Sequence, residues 1–504
     1  MILAGLYLII FTWIVFKTPF FKDNQLSFFW IALIFVFKII AAYSYYLLYF
    51  SNGKAQGDSA DTLYGANIMF EAIHKNLGDY VKMLFGIHTE FETDALYKSY
   101  FEKINDWSDG KTANNFFLND NRTSIRFNAF VRLFSGGYYA VHALVMLMLS
   151  FVGQWAFYKT LKVYFNGKEF LFAIIIFLTP SILFWSSGVL KEPIALCLMG
   201  LFLYVFFKIF ISKQFTLKHI VVLFLSTLSF FTLKPYILML LVLPLIVFYV
   251  GHRFQIKKVA LFYVLSLGFV LGFSIVVLKT LFNRDVIKTI VVRQNDFINL
   301  SNGGIFFANA ENHLRLDCKD SLQYVFVNKE KSICKILPHT VLMYWKFDNP
   351  NDTIFVIDNK DTALYNFLSS SLPASSAIAM PRLEYSMQSF LKITPKAFYN
   401  VLAKPFFNNT KSIMELMASI ENLLYMLFFM LCFWFRSKKN INYNFLFLCV
   451  SVVVLSFLLI GLTTTVGGAI VRYKVPFVPF LLMIPLLFLD ETRVLAWVKK
   501  QKTS

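Results

Sequence analysis

Apolar blocks about 20 residues long recur from one end of this chain to the other, and that length matches helix crossing a hydrocarbon core of about 30 Å. The blocks at 443–461 and 473–489 are apolar on every face. Outer-membrane strands run only about ten residues and alternate in polarity, so block length excludes a barrel. Composition agrees. Hydrophobic residues make up 58% of the 504 and charged residues 15%, against roughly 25% charged in a soluble domain. Mean hydropathy is +0.61. The expected fold class is an all-α polytopic membrane protein with about eleven transmembrane helices.

The net charge of +19 does not point to nucleic acid, because the basic residues are not pooled on one domain. They fall between the blocks, where cytoplasmic loops attract Lys and Arg. Reading spans at 2–16, 27–50, 129–157, 170–186, 193–210, 219–233, 237–250, 260–278, 420–435, 443–461 and 473–489 makes every short inner loop basic. Lys159, Lys162 and Lys168 mark one such loop; Arg253, Lys257 and Lys258 mark another. The topology is then N-out and C-in, with two large extracytoplasmic loops. The first block lacks a basic n-region and a small-residue cleavage site, which favours a retained helix over a signal peptide. Lys38 stands out within the second block.

The domain reading places spans at 1–50, a first outer loop at 51–126, spans at 127–278, an outer-loop subdomain at 279–413, and the last spans with a cytoplasmic tail at 414–504. Spaced apolar residues from Ala60 to Phe85 suggest short amphipathic helices on the membrane surface, with a flexible acidic spacer as the alternative. Candidate strands lie at Tyr324–Val327 and Ile354–Ile357. Cys318 and Cys334 share the larger loop and would be able to pair in an oxidising compartment.

Unusual polar residues collect on the outer side: Asp58 and Asp61, Lys191-Glu192, Lys234 before Pro235, Arg382 with Glu384, and Gly467-Gly468 with Arg472. Ionisable groups at membrane depth usually face a bundle interior or polar cavity. Two carboxylates three residues apart share a helix face, which suits one as general base and the other as its orienter or a cation ligand. Each residue also has a plainer reading: Asp58 and Asp61 as loop-solvating charges, Glu192 as a helix start, Lys234 as an interfacial anchor. The chain has no GxxxxGK[ST], GxGxxG or HExxH, and its histidines lack metal-ligand spacing. An enzyme whose activated donor is a lipid phosphate needs none of these.

Three passages carry a family resemblance: GDSADTLYGANIMFEAI at 57–73, PSILFWSSGVLKEPIALCLMGLFLY at 180–204, and GGAIVRYKVPFVPFLLMIP at 467–485. PKAFYNVLAKPFFN at 395–408 adds to them. The layout resembles bacterial multi-span glycosyltransferases of the GT-C superfamily and the related EpsG-like or Wzy-like polysaccharide polymerases. That resemblance implies Asp58, then Asp61, as catalytic carboxylates or ligands of Mg2+ or Mn2+. It implies Lys191, Glu192, Lys234, Arg382, Arg472 and Tyr473 as the lipid-phosphate and substrate set. Asp58 follows the second block, whereas GT-C enzymes usually place this loop after the first.

The expected activity is glycosyl transfer at the outer face of a bacterial inner membrane. A polyprenyl-phosphate-linked glycan would be the donor, and a glycan, lipid or protein the acceptor. Besides these, the partners are membrane lipids and not nucleic acid. Alternatives are glycan polymerisation, lipid-linked glycan transport, or a noncatalytic role in envelope assembly.

Overall fold

The computed structural model describes residues 2–50, 57–87, 95–104, 120–283, 285–308, 313–316, 324–328, 333–337, 341–345, 354–356, 364–407, 410, 412–437, 441–494 and 496–497. The chain divides into two compact units. The first comprises Met1–Tyr263, Phe428–Val453 and Val475–Ser504, and the second Val264–Leu427 and Val454–Lys474.

Among the described residues seven helices are long and apolar enough to cross a membrane: Phe28–Phe50, Tyr139–Tyr164, Lys191–Ile211, Pro235–Arg253, Val259–Leu281, Ile413–Trp434 and Tyr443–Thr463. The pair Gly467–Tyr473 and Val478–Phe488 qualifies jointly but is bent by 65°. The chain is a multi-pass membrane protein.

The expectation of eleven spans in an all-α fold is corrected on two counts. The first is length. Ile2–Lys17 and Leu217–Leu233 have 16 and 17 residues; at about 1.5 Å per residue they fall short of a ~30 Å core. The block at 170–186 is broken. Glu169–Phe177 stops and Pro180–Trp185 starts anew, with Thr179 extended at ψ 124°. Proline brings no N–H and disfavours helical backbone in the residue before it. The block at 129–157 is likewise two helices, Asp120–Ser135 and Tyr139–Leu161, parted at Gly136 and Gly137 with φ of 62° and 79°.

The second correction is a seven-stranded antiparallel sheet in the second unit: β1 Gly304–Ala308, β2 His313–Leu316, β3 Tyr324–Asn328, β4 Ile333–Ile336, β5 Val341–Trp345, β6 Ile354–Val356 and β7 Leu364–Ser371. The order is β3-β4-β7-β1-β2-β5-β6. Alternation drives it. Ile305 pairs with Leu316 and Phe307 with Leu314, and these side chains share a core with Ile336 and Tyr365. The fold is therefore mixed, with helices and sheet. The buried Cys334 thiol donates to the Tyr365 carbonyl at 3.2 Å; Cys318 lies outside the described residues.

In the first unit, Tyr139–Leu161 and the Lys191 helix cross at two glycines. A Cβ on Gly200 would sit 1.8 Å from the Gly153 carbonyl oxygen, so only glycine permits this approach. The 60–85 stretch forms helices Asp58–Glu71 and Leu77–Phe85. Met69, Ala72, Tyr80 and Met83 bury into a core shared with Ile125 and Ala129. Leu77, Val81 and Phe85 stay exposed at helical spacing.

Candidate functional site

The spanning helix Lys191–Ile211 begins straight after Ser186-Ser187-Gly188-Val189-Leu190, with Leu190 extended at its N-cap. Glu192 lies in the first turn, where the helix dipole favours an anion, and Pro193 is tolerated there. Lys234 breaks the chain between Leu217–Leu233 and Pro235–Arg253. Its Nζ donates to Glu192 Oε1 at 3.0 Å, with both side chains at most 4% exposed. Lys191 is also buried, and its Nζ donates to Asn121 Oδ1.

Neighbouring elements are fastened to this point. Thr123 Oγ1 donates to the Thr232 carbonyl at 3.1 Å, which brings the Asp120–Ser135 helix to the Lys234 turn. Ser59 Oγ donates to the Val189 carbonyl at 2.8 Å and lies 2.9 Å from Tyr45 Oη. A Cβ on Gly188 would fall 2.9 Å from the Tyr45 ring, so the loop needs glycine to pass there. The Ser59 bond sets the first turn of Asp58–Glu71, which contains Asp58 and Asp61, beside the start of the Lys191 helix. Asp58 is exposed and Asp61 half-buried. Burial, and secondarily the Asp58 charge, raise the Asp61 carboxyl above the ordinary carboxylate range.

The arrangement brings two carboxylates, one exposed and one half-buried, to the start of the helix that opens on buried Lys191. Among the described residues no group of three His, Cys, Asp or Glu side chains forms a metal site.

Arg382, Arg472 and Tyr473 belong to the second unit. Arg382 Nη2 donates to Asn299 Oδ1 at 3.0 Å, and the Leu383 N–H donates to Gln294 Oε1 at 2.7 Å. Gln294, Asn295, Asp296, Asn299 and Ser301 are all buried on the helix Val286–Asn302. Arg472 lies in the short helix Gly467–Tyr473, which the Gly467 N–H anchors to the Ser376 carbonyl at 2.8 Å. Tyr473 meets Phe297 edge-on, with ring centroids 6.3 Å apart. Buried Lys474 donates to Asn422 Oδ1 at 2.9 Å and lies over the Tyr425 ring, whose hydroxyl reaches Glu421.

The predicted residues therefore gather as two groups. Asp58, Asp61, Lys191, Glu192 and Lys234 are one; Arg382, Arg472 and Tyr473 are the other. Sequence reasoning missed Ser59, Asn121, Asn299, Asn422 and Lys474. For Asn422 the signal was legible: Glu415, Ser419 and Asn422 form a polar stripe at i, i+4, i+7 along an apolar span. For Asn121 no local pattern existed, since its partner is 70 positions away. No known protein family, curated protein or solved structure matches the chain.

Proposed function

We propose that this protein is a membrane glycosyltransferase that takes a polyprenyl-phosphate-linked sugar or oligosaccharide at the outer face of a bacterial inner membrane. One observation carries the reading. The Ser59–Val189 bond sets the turn that carries exposed Asp58 and half-buried Asp61 beside the start of the spanning helix, whose first residue is the buried Lys191. A lipid phosphate enters at such a level, and an acceptor hydroxyl arrives from water.

In the proposed step Asp58 takes the acceptor O–H proton as that oxygen bonds to the anomeric carbon. The bond from the anomeric carbon to the phosphate oxygen breaks, and its electron pair leaves with the polyprenyl phosphate. Lys191 stabilises the charge that gathers there. Asp61, whose carboxyl burial raises, orients Asp58, or the two would together hold Mg2+ or Mn2+, whose charge would offset that of the leaving phosphate. Lys234 is already balanced by Glu192, so its part is to fix the helix start.

Full-length protein in liposomes with an undecaprenyl-phosphate sugar donor tests this. Asp58→Ala is expected to lower turnover by about 10²–10⁴-fold, the usual worth of a general base. Full turnover in that variant would remove Asp58 from the role.

Polymerisation, in which both donor and acceptor are glycans, draws on the second unit. Arg382, held by Asn299, and Arg472 supply guanidinium forks suited to pyrophosphate. A laddered product that collapses in Arg382→Ala and Arg472→Ala would favour it; transfer of a single sugar would count against it.

A further inference from the structure

A cleft of about 330 Å³ opens at the far end of the Asp58–Glu71 helix, lined by Asn67, Phe70, Glu71, His74, Arg132 and the Gly136-Gly137 turn. That volume is at the low end of the ~300–1,000 Å³ common for small-molecule sites. Its walls are built. The Arg132 guanidinium lies 4.5 Å over the Phe70 ring, and its Nε donates to Asn67 Oδ1 at 2.8 Å. Both glycines have left-handed backbone, and a Cβ on Gly137 would come within 2.8 Å of the Arg132 guanidinium.

The turn is pinned from below. Ser135 Oγ accepts from the Gly137 N–H at 3.2 Å and lies 2.8 Å from His142 Nε2, while His142 Nδ1 is 2.9 Å from Asn128 Oδ1. All three side chains are buried. Glu71 is exposed on the rim, and the His74 ring stands edge-on to Phe70 with centroids 5.8 Å apart.

We propose that this cleft is a saccharide subsite that holds the acceptor glycan away from the Asp58–Asp61 carboxylates. Charge argues for a sugar over a phosphate. Glu71 offsets Arg132, which removes the net positive field a phosphate needs, and the lining mixes strong donors with a strong acceptor, as vicinal hydroxyls require. Thirteen residues of helix, about 20 Å at 1.5 Å each, separate Asp58 from Glu71. The acceptor must then be an extended oligosaccharide. The saccharide site itself stands on the lining; its role as the acceptor's site, and the acceptor's length, rest on the proposed transferase reading.

Saturation-transfer NMR on the full-length protein in nanodiscs, with chitotetraose, maltotetraose and tetragalacturonate as probes, tests the subsite without any turnover. Binding of at least one probe is expected, weakened about tenfold by Arg132→Ala and severalfold by Glu71→Gln, each removing a charged hydrogen-bond partner. Glu71 is exposed, so its isosteric replacement leaves folding intact. No binding by any probe overturns the proposal, as does binding that survives both substitutions. Phosphatidylglycerol in the nanodisc competing off the probe would also overturn it, by making the cleft a lipid headgroup site. If binding behaves as expected while Asp58→Ala keeps full turnover, the subsite stands and the transferase assignment of Asp58 falls.

Discussion

Two buried lysines of the first unit show what membrane burial permits. Lys234 sits where the chain turns between helices, and its ammonium meets the Glu192 carboxylate at 3.0 Å. Lys38 sits in mid-span, fully buried, and its amine reaches only neutral acceptors, Gln154 Oε1 and Ser186 Oγ, both at 2.8 Å. Among the described residues no carboxylate faces it. Carrying a charge out of water costs several kcal/mol unless a partner of opposite sign offsets it. The head of the Lys191 helix is therefore arranged to keep charges, and the middle of the Phe28–Phe50 span to satisfy an amine through hydrogen bonds.

The largest expected effect comes from splitting the charged pair. Glu192→Ala leaves a buried ammonium uncompensated and should destabilise the first unit by about 3–5 kcal/mol, read as detergent-solubilised thermal unfolding. Adding Lys234→Met to that variant should restore most of the loss, because the apolar pair carries no desolvation penalty. A double variant as unstable as the single one would show that the pair is held for some reason other than charge balance.

Lys38→Met is expected to change stability by less than about 2 kcal/mol. It leaves Gln154 Oε1 and Ser186 Oγ short of a donor, at about 1–3 kcal/mol for such a loss, but relieves the desolvation of the amine. A loss as large as that of Glu192→Ala would erase the contrast between the two lysines. A stable Lys38→Met variant that has lost all function would move the reading toward transport, where mid-span ionisable groups carry the chemistry.

The same contrast marks what the sequence made legible. Lys191, Glu192 and Lys234 were visible because charges at block edges break an otherwise apolar pattern. The pairing of Lys234 with Glu192 was not, since 42 positions of chain separate them. Span count was overestimated where hydropathy is insensitive to backbone. Thr179-Pro180 interrupts the block at 170–186 without lowering its average hydrophobicity enough to notice, and Gly136-Gly137 shifts the start of the next span from 129 to 139. Strands at 324 and 354 could be read from β-branched and aromatic residues, but the sheet depends on pairings such as Gly304 with Ser371, which no local window contains. The Ser59 hydroxyl, which helps hold the Asp58 turn at the start of the Lys191 helix, has its partner 130 positions away.

The smallest expected effect, and the finest probe of the charged region, concerns the acidity of Asp61. Burial raises its carboxyl first and the Asp58 charge second. Asp58→Asn should therefore lower the Asp61 titration only part of the way toward the free value, because burial remains. The sign for stability follows by linkage. A carboxyl whose folded pKa is raised contributes stability that is fully present below its unfolded value and is lost as pH rises through the folded one. In the wild type that loss extends to higher pH than in Asp58→Asn, so the variant should gain slightly in relative stability just above the ordinary carboxylate range. Carboxyl titration of ¹³C-labelled aspartate reads the shift directly. If Asp61 titrates identically in both proteins, the two carboxylates do not sense each other. The proposed division into base and orienter then loses its physical basis, while the Lys234–Glu192 pair, which depends on neither aspartate, is untouched.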